Sequence, residues 1–194
     1  FGQEFPIQKY TPHQGLAQMQ VFNVLKDSRG MVWAGTGFGL SRFNGESFTN
    51  YTTADGLLGN FISNIQEDNK GYIWISCATK GIIRFDGKKF KKYPTPKGFV
   101  EVMSPTFTNK GECFSIAIDA FNKKRLFYIV GDTLLPYTLK NAPKYLADSL
   151  IGVHFFPLTK KLILHVGKQL YLYQNGKLQK LQLPPCHSVA VVFK

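Results

Sequence analysis

Short apolar runs of four to six residues alternate with polar turns along much of the chain, and the pattern recurs. Val21 to Lys26, Met31 to Thr36, Gly39 to Phe43 and Phe48 to Thr52 each read as a strand. Asp27-Ser28-Arg29-Gly30 reads as a tight turn between the first two, and Asn44-Gly45 is a strong hairpin signal before the fourth. The order returns at an offset of 41: Gly15-Leu16, Val21, Val24, Asp27 and Val32-Trp33 match Gly56-Leu57, Ile62, Ile65, Asp68 and Ile73-Trp74. One inserted residue then moves the offset to 42, and Gly39-Leu40, Arg42-Phe43-Asn44-Gly45, Phe48 and Tyr51 match Gly81-Ile82, Arg84-Phe85-Asp86-Gly87, Phe90 and Tyr93. Four strands in about 42 residues is the size of a β-propeller blade.

The expected fold is therefore all-β, with four-stranded antiparallel blades. Asn109-Lys110-Gly111 and Gly131-Asp132 mark the turns of a third copy, and Thr159-Lys160-Lys161 and Gln174-Asn175-Gly176 those of a fourth. The blades are expected at 13–54, 55–96, 102–138 and 151–183, all parts of one propeller. Segments 1–11 and 188–194 are expected to lend strands to incomplete blades, because Ile7 to Tyr10 matches Phe48 to Tyr51 and Ser188 to Phe193 reads as a first strand. At about 42 residues per blade the chain holds four to five blades, so a piece of a longer propeller is expected.

Composition narrows the picture. The chain has 194 residues, 44% of them hydrophobic and 14% aromatic, which excludes a disordered tail and favours strands over helices. Cys77, Cys113 and Cys186 are widely spaced and form no metal or disulfide motif, so buried free thiols are expected. The longest apolar stretch, Leu126 to Leu139, carries Asp132 and falls short of the roughly 20 residues of a membrane helix. Lys+Arg number 24 against 12 Asp+Glu. Many of these cations cluster in expected turns and outer strands, as at Lys88, Lys89, Lys91 and Lys92 or Lys123, Lys124 and Arg125. Such lysines keep strand edges from pairing, and they also attract anions such as sulfated or uronic-acid glycans. Phe90 and Tyr93 interleave with the lysines but occupy core positions, so no nucleic-acid partner is expected.

Catalytic groups are sparse. Gly35-Thr36-Gly37-Phe38-Gly39 runs into a strand where a phosphate-binding loop needs a helix. His13, His154, His165 and His187 lack metal-site spacing, and neither a metal nor a cofactor is expected. Asp27 and Asp68 hold equivalent turn positions in two copies and are expected to bond backbone amides, and Trp33 and Trp74 are expected to fill the core.

Residues 15–51 and 56–93 resemble the two-component regulator propeller repeat. The resemblance rests on Gly15-Leu16, Asp27-x-x-Gly30, Met31-Val32-Trp33-Ala34-Gly35-Thr36, Gly39-Leu40, Phe43-Asn44-Gly45 and Phe48-x-x-Tyr51. The second copy departs at Ser76-Cys77, where Gly-Thr is expected. The resemblance implies the periplasmic, ligand-sensing region of a Bacteroidetes-type hybrid sensor histidine kinase. It implies an oligosaccharide ligand, further blades and a downstream sensor domain in the parent chain, a homodimeric parent, and no enzyme in this segment. The start at Phe1 is expected to follow a removed secretion signal. The alternatives are a glycan-active propeller lyase or hydrolase and a protein-binding scaffold. Loops entering the innermost strands lie near a propeller's channel mouth, which makes Gln18, Gln20, Asn60 and Ser63 the candidate ligand residues.

Overall fold

The structure is a computed structural model that describes residues 7–108, 111–138, 150–156, 161–174 and 177–182. The strand expected at 188–194, Cys186, and parts of three expected turns, at 109–110, 159–160 and 175–176, lie outside the described residues. The chain divides into two compact units, Phe1–Lys92 and Tyr93–Lys194.

In the first unit β1 (Val21–Lys26), β2 (Val32–Thr36), β3 (Gly39–Phe43) and β4 (Phe48–Tyr51) form an antiparallel meander in sequence order. A second meander follows with β5 (Asn64–Glu67), β6 (Ile73–Cys77), β7 (Gly81–Phe85) and β8 (Phe90–Pro94). Each sheet is pinned at its first turn by one carboxylate. Asp27 Oδ1 accepts the amides of Arg29 and Met31 at 3.0 and 2.9 Å, and Oδ2 accepts the Trp33 ring N–H at 2.9 Å. Asp68 repeats this with Lys70, Tyr72 and Trp74 at 2.9, 3.0 and 2.8 Å. The repeating Asp-x-x-Gly and Trp are thus one device: the turn's carboxylate satisfies the ring nitrogen that core burial would otherwise orphan.

The Gly-Leu pair has its own reason. Thr11–Gln14 and Thr52–Asp55 each close a short 3-10 turn as a reciprocal cap, and Gly15 and Gly56 leave it with φ of 103° and 110°. The chain then drops Leu16 and Leu57 into the core. Side chains of the two sheets interlock through Trp33, Leu40, Ile62, Ile65, Ile73, Ile75, Ile83 and Phe85. Each such burial stabilises by roughly 1.5–3 kcal/mol. Between the sheets the Ile62 amide donates to the Thr36 carbonyl at 2.9 Å, and Ser28 donates from N and Oγ to the Glu67 carboxylate at 2.8 and 2.6 Å.

Residues 7–10, expected as an outer strand, have no ladder partner among the described residues. Tyr10 packs instead on Phe43 and Phe48, with ring centroids 4.9 and 5.6 Å away. The Gly35–Gly39 segment is a two-residue hairpin turn, in which Thr36 Oγ1 donates to the Gly39 carbonyl at 2.9 Å.

In the second unit β9 (Glu101–Val102), β10 (Thr106–Phe107), β11 (Cys113–Ile118), β12 (Lys124–Val130) and β13 (Thr133–Pro136) form a sheet of five strands where four are expected. The extra strand is one strand cut in two. β9 and β10 both pair with the same edge of β11, Val102 opposite Ala117 and Thr106 opposite Phe114, so the register slips by one residue between them. Pro105 lies in the gap and has no N–H to give the ladder. The last sheet, β14 (Leu150–Phe156), β15 (Lys161–Val166), β16 (Gln169–Gln174) and β17 (Lys177–Lys180), is again a four-stranded meander. It packs on its neighbour through Phe114, Ile116, Leu126, Val153, Leu162 and Leu164. Tyr137 and Tyr173 meet at 3.5 Å between their hydroxyls, and burial with this contact pushes the Tyr137 phenol up to about 12.

Cys77 and Cys113 are free and buried, and burial pushes the Cys77 thiol up. Thiolates, not thiols, react. Brief alkylation of the native protein at neutral pH, mapped by peptide mass spectrometry, is expected to leave Cys77 unmodified, whereas alkylation in denaturant labels it fully. Rapid native labelling would contradict its place in the core.

Candidate functional site

A meander sets alternate connections at opposite ends of a sheet. In the first unit the entry to β1, the β2–β3 turn and the exit from β4 therefore share one end, and the bond from Ile62 to Thr36 brings the entry to β5 there too. The other end carries the carboxylate-pinned turns. Burial raises the Asp27 carboxyl, but the bonds from Trp33, Met31 and Arg29 outweigh it and hold the group below the usual carboxylate range. That end is locked structure.

All four candidate ligand residues lie in the loops of the first end. Asn60 Oδ1 accepts the Thr53 amide at 2.9 Å, and Ser63 Oγ donates to the Ser76 carbonyl at 3.2 Å, so both hold their loops. Gln20 is exposed. Gln18 Oε1 is buried with no hydrogen-bond partner among the described residues. It lies 2.7 Å from where a Cβ on Gly37 would stand, and the Phe22 ring is 3.7 Å from the same point. A side chain at 37 would displace the end of Gln18 from this position.

Around Gln18 the surface is aromatic. Phe22 and Phe61 are 41% and 45% exposed and pair at 4.6 Å between centroids with a 40° tilt. Phe38, in the β2–β3 turn beside Gly37, and Met19 are 67% and 68% exposed. At the repeat offset of 41, Phe22 corresponds to Ser63 and Phe61 to Gln20. The blade therefore does not need a ring at either position. Exposed rings at a loop end that also carries the exposed Gln20 amide can take a ligand with an apolar face and a hydroxylated edge. Neither ring is among the candidates read from the sequence. Their repeat equivalents were the available signal.

The model of the two-component regulator propeller family matches residues 56–79. Among solved structures, the chain is similar to the extracellular domain assigned to a hybrid two component system of B. thetaiotaomicron. The TM-score is 0.62 at 14% identity, covering 87% of this chain and 25% of that one. An extracellular domain assigned to a one component system of the same organism matches with a TM-score of 0.59 at 16% identity, over 93% of this chain and 24% of that one. A gluconolactonase of Xanthomonas campestris matches at 0.51 and 11% identity, over 84% of this chain and 62% of that one. The chain thus spans about a quarter of the two extracellular domains, and these likenesses establish a propeller-type fold. A comparison with curated proteins found no match. No helix among the described residues is long and apolar enough to cross a membrane.

Proposed function

For a chain that carries the two-component regulator propeller repeat, we propose a role as the extracytoplasmic, non-catalytic sensing region of a membrane two-component sensor histidine kinase, with an oligosaccharide as its ligand. The parent protein supplies the remaining blades, the downstream sensor domain and the kinase, acts as a homodimer and places this region in the periplasm. The observation that carries the ligand class is the exposed Phe22–Phe61 ring pair at the loop end that also carries the exposed Gln20. A sugar bound there moves the kinase only by its difference in affinity for the two signalling arrangements. A tenfold preference supplies about 1.4 kcal/mol of bias.

The test is isothermal titration of the chain with a panel of defined oligosaccharides, with product analysis of each mixture. One class is expected to bind and emerge unchanged. Phe22→Ala and Phe61→Ala are each expected to weaken it by about tenfold, the loss of roughly 1.4 kcal/mol of ring contact. Unchanged affinity in both variants would remove this site, and cleaved glycan would make the chain an enzyme.

A further inference from the structure

A second feature of the first unit is unused by this reading: a groove of about 660 Å³ between β4 and the β7–β8 hairpin. Tyr51 and Phe90 form its apolar wall, with ring centroids 5.3 Å apart and edge to face. Arg42, Lys88, Lys89 and Lys92 line it, against one carboxylate, Asp55. That carboxylate already accepts the amide and hydroxyl of Thr52 at 2.8 and 2.9 Å. Among the described residues no ion pair holds any of these four cations.

The repeat separates what the fold requires from what has been added. Tyr51, Phe90 and Arg42 correspond to Tyr93, Phe48 and Arg84 in the other copy. Arg42 lies over the Trp33 and Tyr51 rings as Arg84 lies over Tyr72 and Trp74, so these belong to the blade. Lys88, Lys89 and Lys92 correspond instead to Glu46, Ser47 and Asn50. The same hairpin therefore forms with an acidic or neutral side chain at each place. Its shape comes from Asp86, whose Oδ1 accepts the Lys88 and Lys89 amides at 2.8 and 2.7 Å, as Asn44 Oδ1 accepts those of Glu46 and Ser47 at 2.9 and 2.8 Å. Three lysines that the hairpin does not need, converging on one aromatic groove, define an anion site.

We propose that this groove binds the carboxylate or sulfate groups of an anionic oligosaccharide, with the lysines and Arg42 taking the charges and Tyr51 and Phe90 the sugar face. The proposal rests on the oligosaccharide-sensing reading and specifies its ligand class.

Its test titrates the chain with tetragalacturonate, with a sulfated galactose tetramer and with neutral galactotetraose. At least one anionic tetramer is expected to bind at least tenfold more tightly than the neutral one, and to lose about tenfold between 50 and 300 mM NaCl. The Lys88→Gln/Lys89→Gln/Lys92→Gln triple variant is expected to lose about tenfold for the anionic tetramer with an unchanged melting temperature. The single variants Lys88→Gln and Lys89→Gln serve if the triple variant is unstable. Equal affinity for the neutral tetramer, or full affinity in the lysine variants, overturns the proposal and leaves oligosaccharide sensing standing. Binding of none of the three, while another neutral glycan binds, does the same. If no glycan of any charge binds, both readings fail.

Discussion

Asp27→Ala is expected to lower the folding free energy by about 2–4 kcal/mol, seen as a lower urea midpoint at constant slope. Asp27 is 4% exposed and its carboxylate is engaged by its own turn, so the loss is structural. Its removal strands the amides of Arg29 and Met31 and the Trp33 ring N–H at once, and breaks the ion pair with the Arg29 guanidinium. The Trp33 ring lies in the core, where Trp33 is 1% exposed and meets Phe85 edge to face at 5.7 Å. Asp27→Asn keeps one acceptor oxygen but turns an amide N–H₂ toward another donor, so it is expected to recover about half of the loss.

The pH dependence has a definite sign. The folded carboxyl is held below its usual value, so its contribution is complete above the unfolded pKa of about 3.9 and is lost as pH falls through the folded value. Wild type should therefore lose more stability than Asp27→Asn on going from pH 5 to pH 2. Parallel curves would show that the carboxylate charge contributes nothing.

Gly39→Ala is expected to be at least as damaging, with about 3 kcal/mol or more lost. Gly39 has φ of 131°, which L side chains avoid, and an added Cβ would run into the Tyr51 carbonyl oxygen across the β3–β4 ladder. That oxygen is backbone in a paired strand and cannot step aside. Gly45→Ala is the matched control. It has φ of 103° but open space around the new methyl, so it carries the conformational cost alone, about 1–2 kcal/mol. Equal losses for the two variants would mean that the close approach at Gly39 is relieved by a small shift of β4.

The first two sheets were legible because the repeat states each turn twice. A tight turn with its Asp, a tryptophan strand and an Asn/Asp-Gly hairpin recur in order, and each has a local physical cause. The third sheet was legible only in part: its first strand breaks at Met103-Ser104-Pro105, and the Asp-x-x-Gly-Trp device that marks the earlier copies is absent from it. Burial was the harder quantity. Val24 and Ile65 are equivalent in the repeat, yet Val24 is exposed while Ile65 is buried, because the first sheet covers the second and not the reverse. Pattern within a strand cannot express which neighbour covers it. The same limit hid the candidate site. Gln18 and Gln20 could be placed by topology, whereas Phe22 and Phe61 pair across two blades, and only the fold brings them together.

The proposed role, in which oligosaccharide binding to this region shifts a kinase in the parent protein, stands or falls in cells. The most direct test is a transcriptional reporter of the cognate response regulator, in cells producing the parent protein, dosed with the glycan that binds the isolated chain. Induction should occur at concentrations near the measured Kd, and Phe22→Ala/Phe61→Ala should shift the dose curve to higher concentration by the factor by which it weakens binding. A reporter that ignores the bound glycan, or responds identically in the variant, would contradict the account.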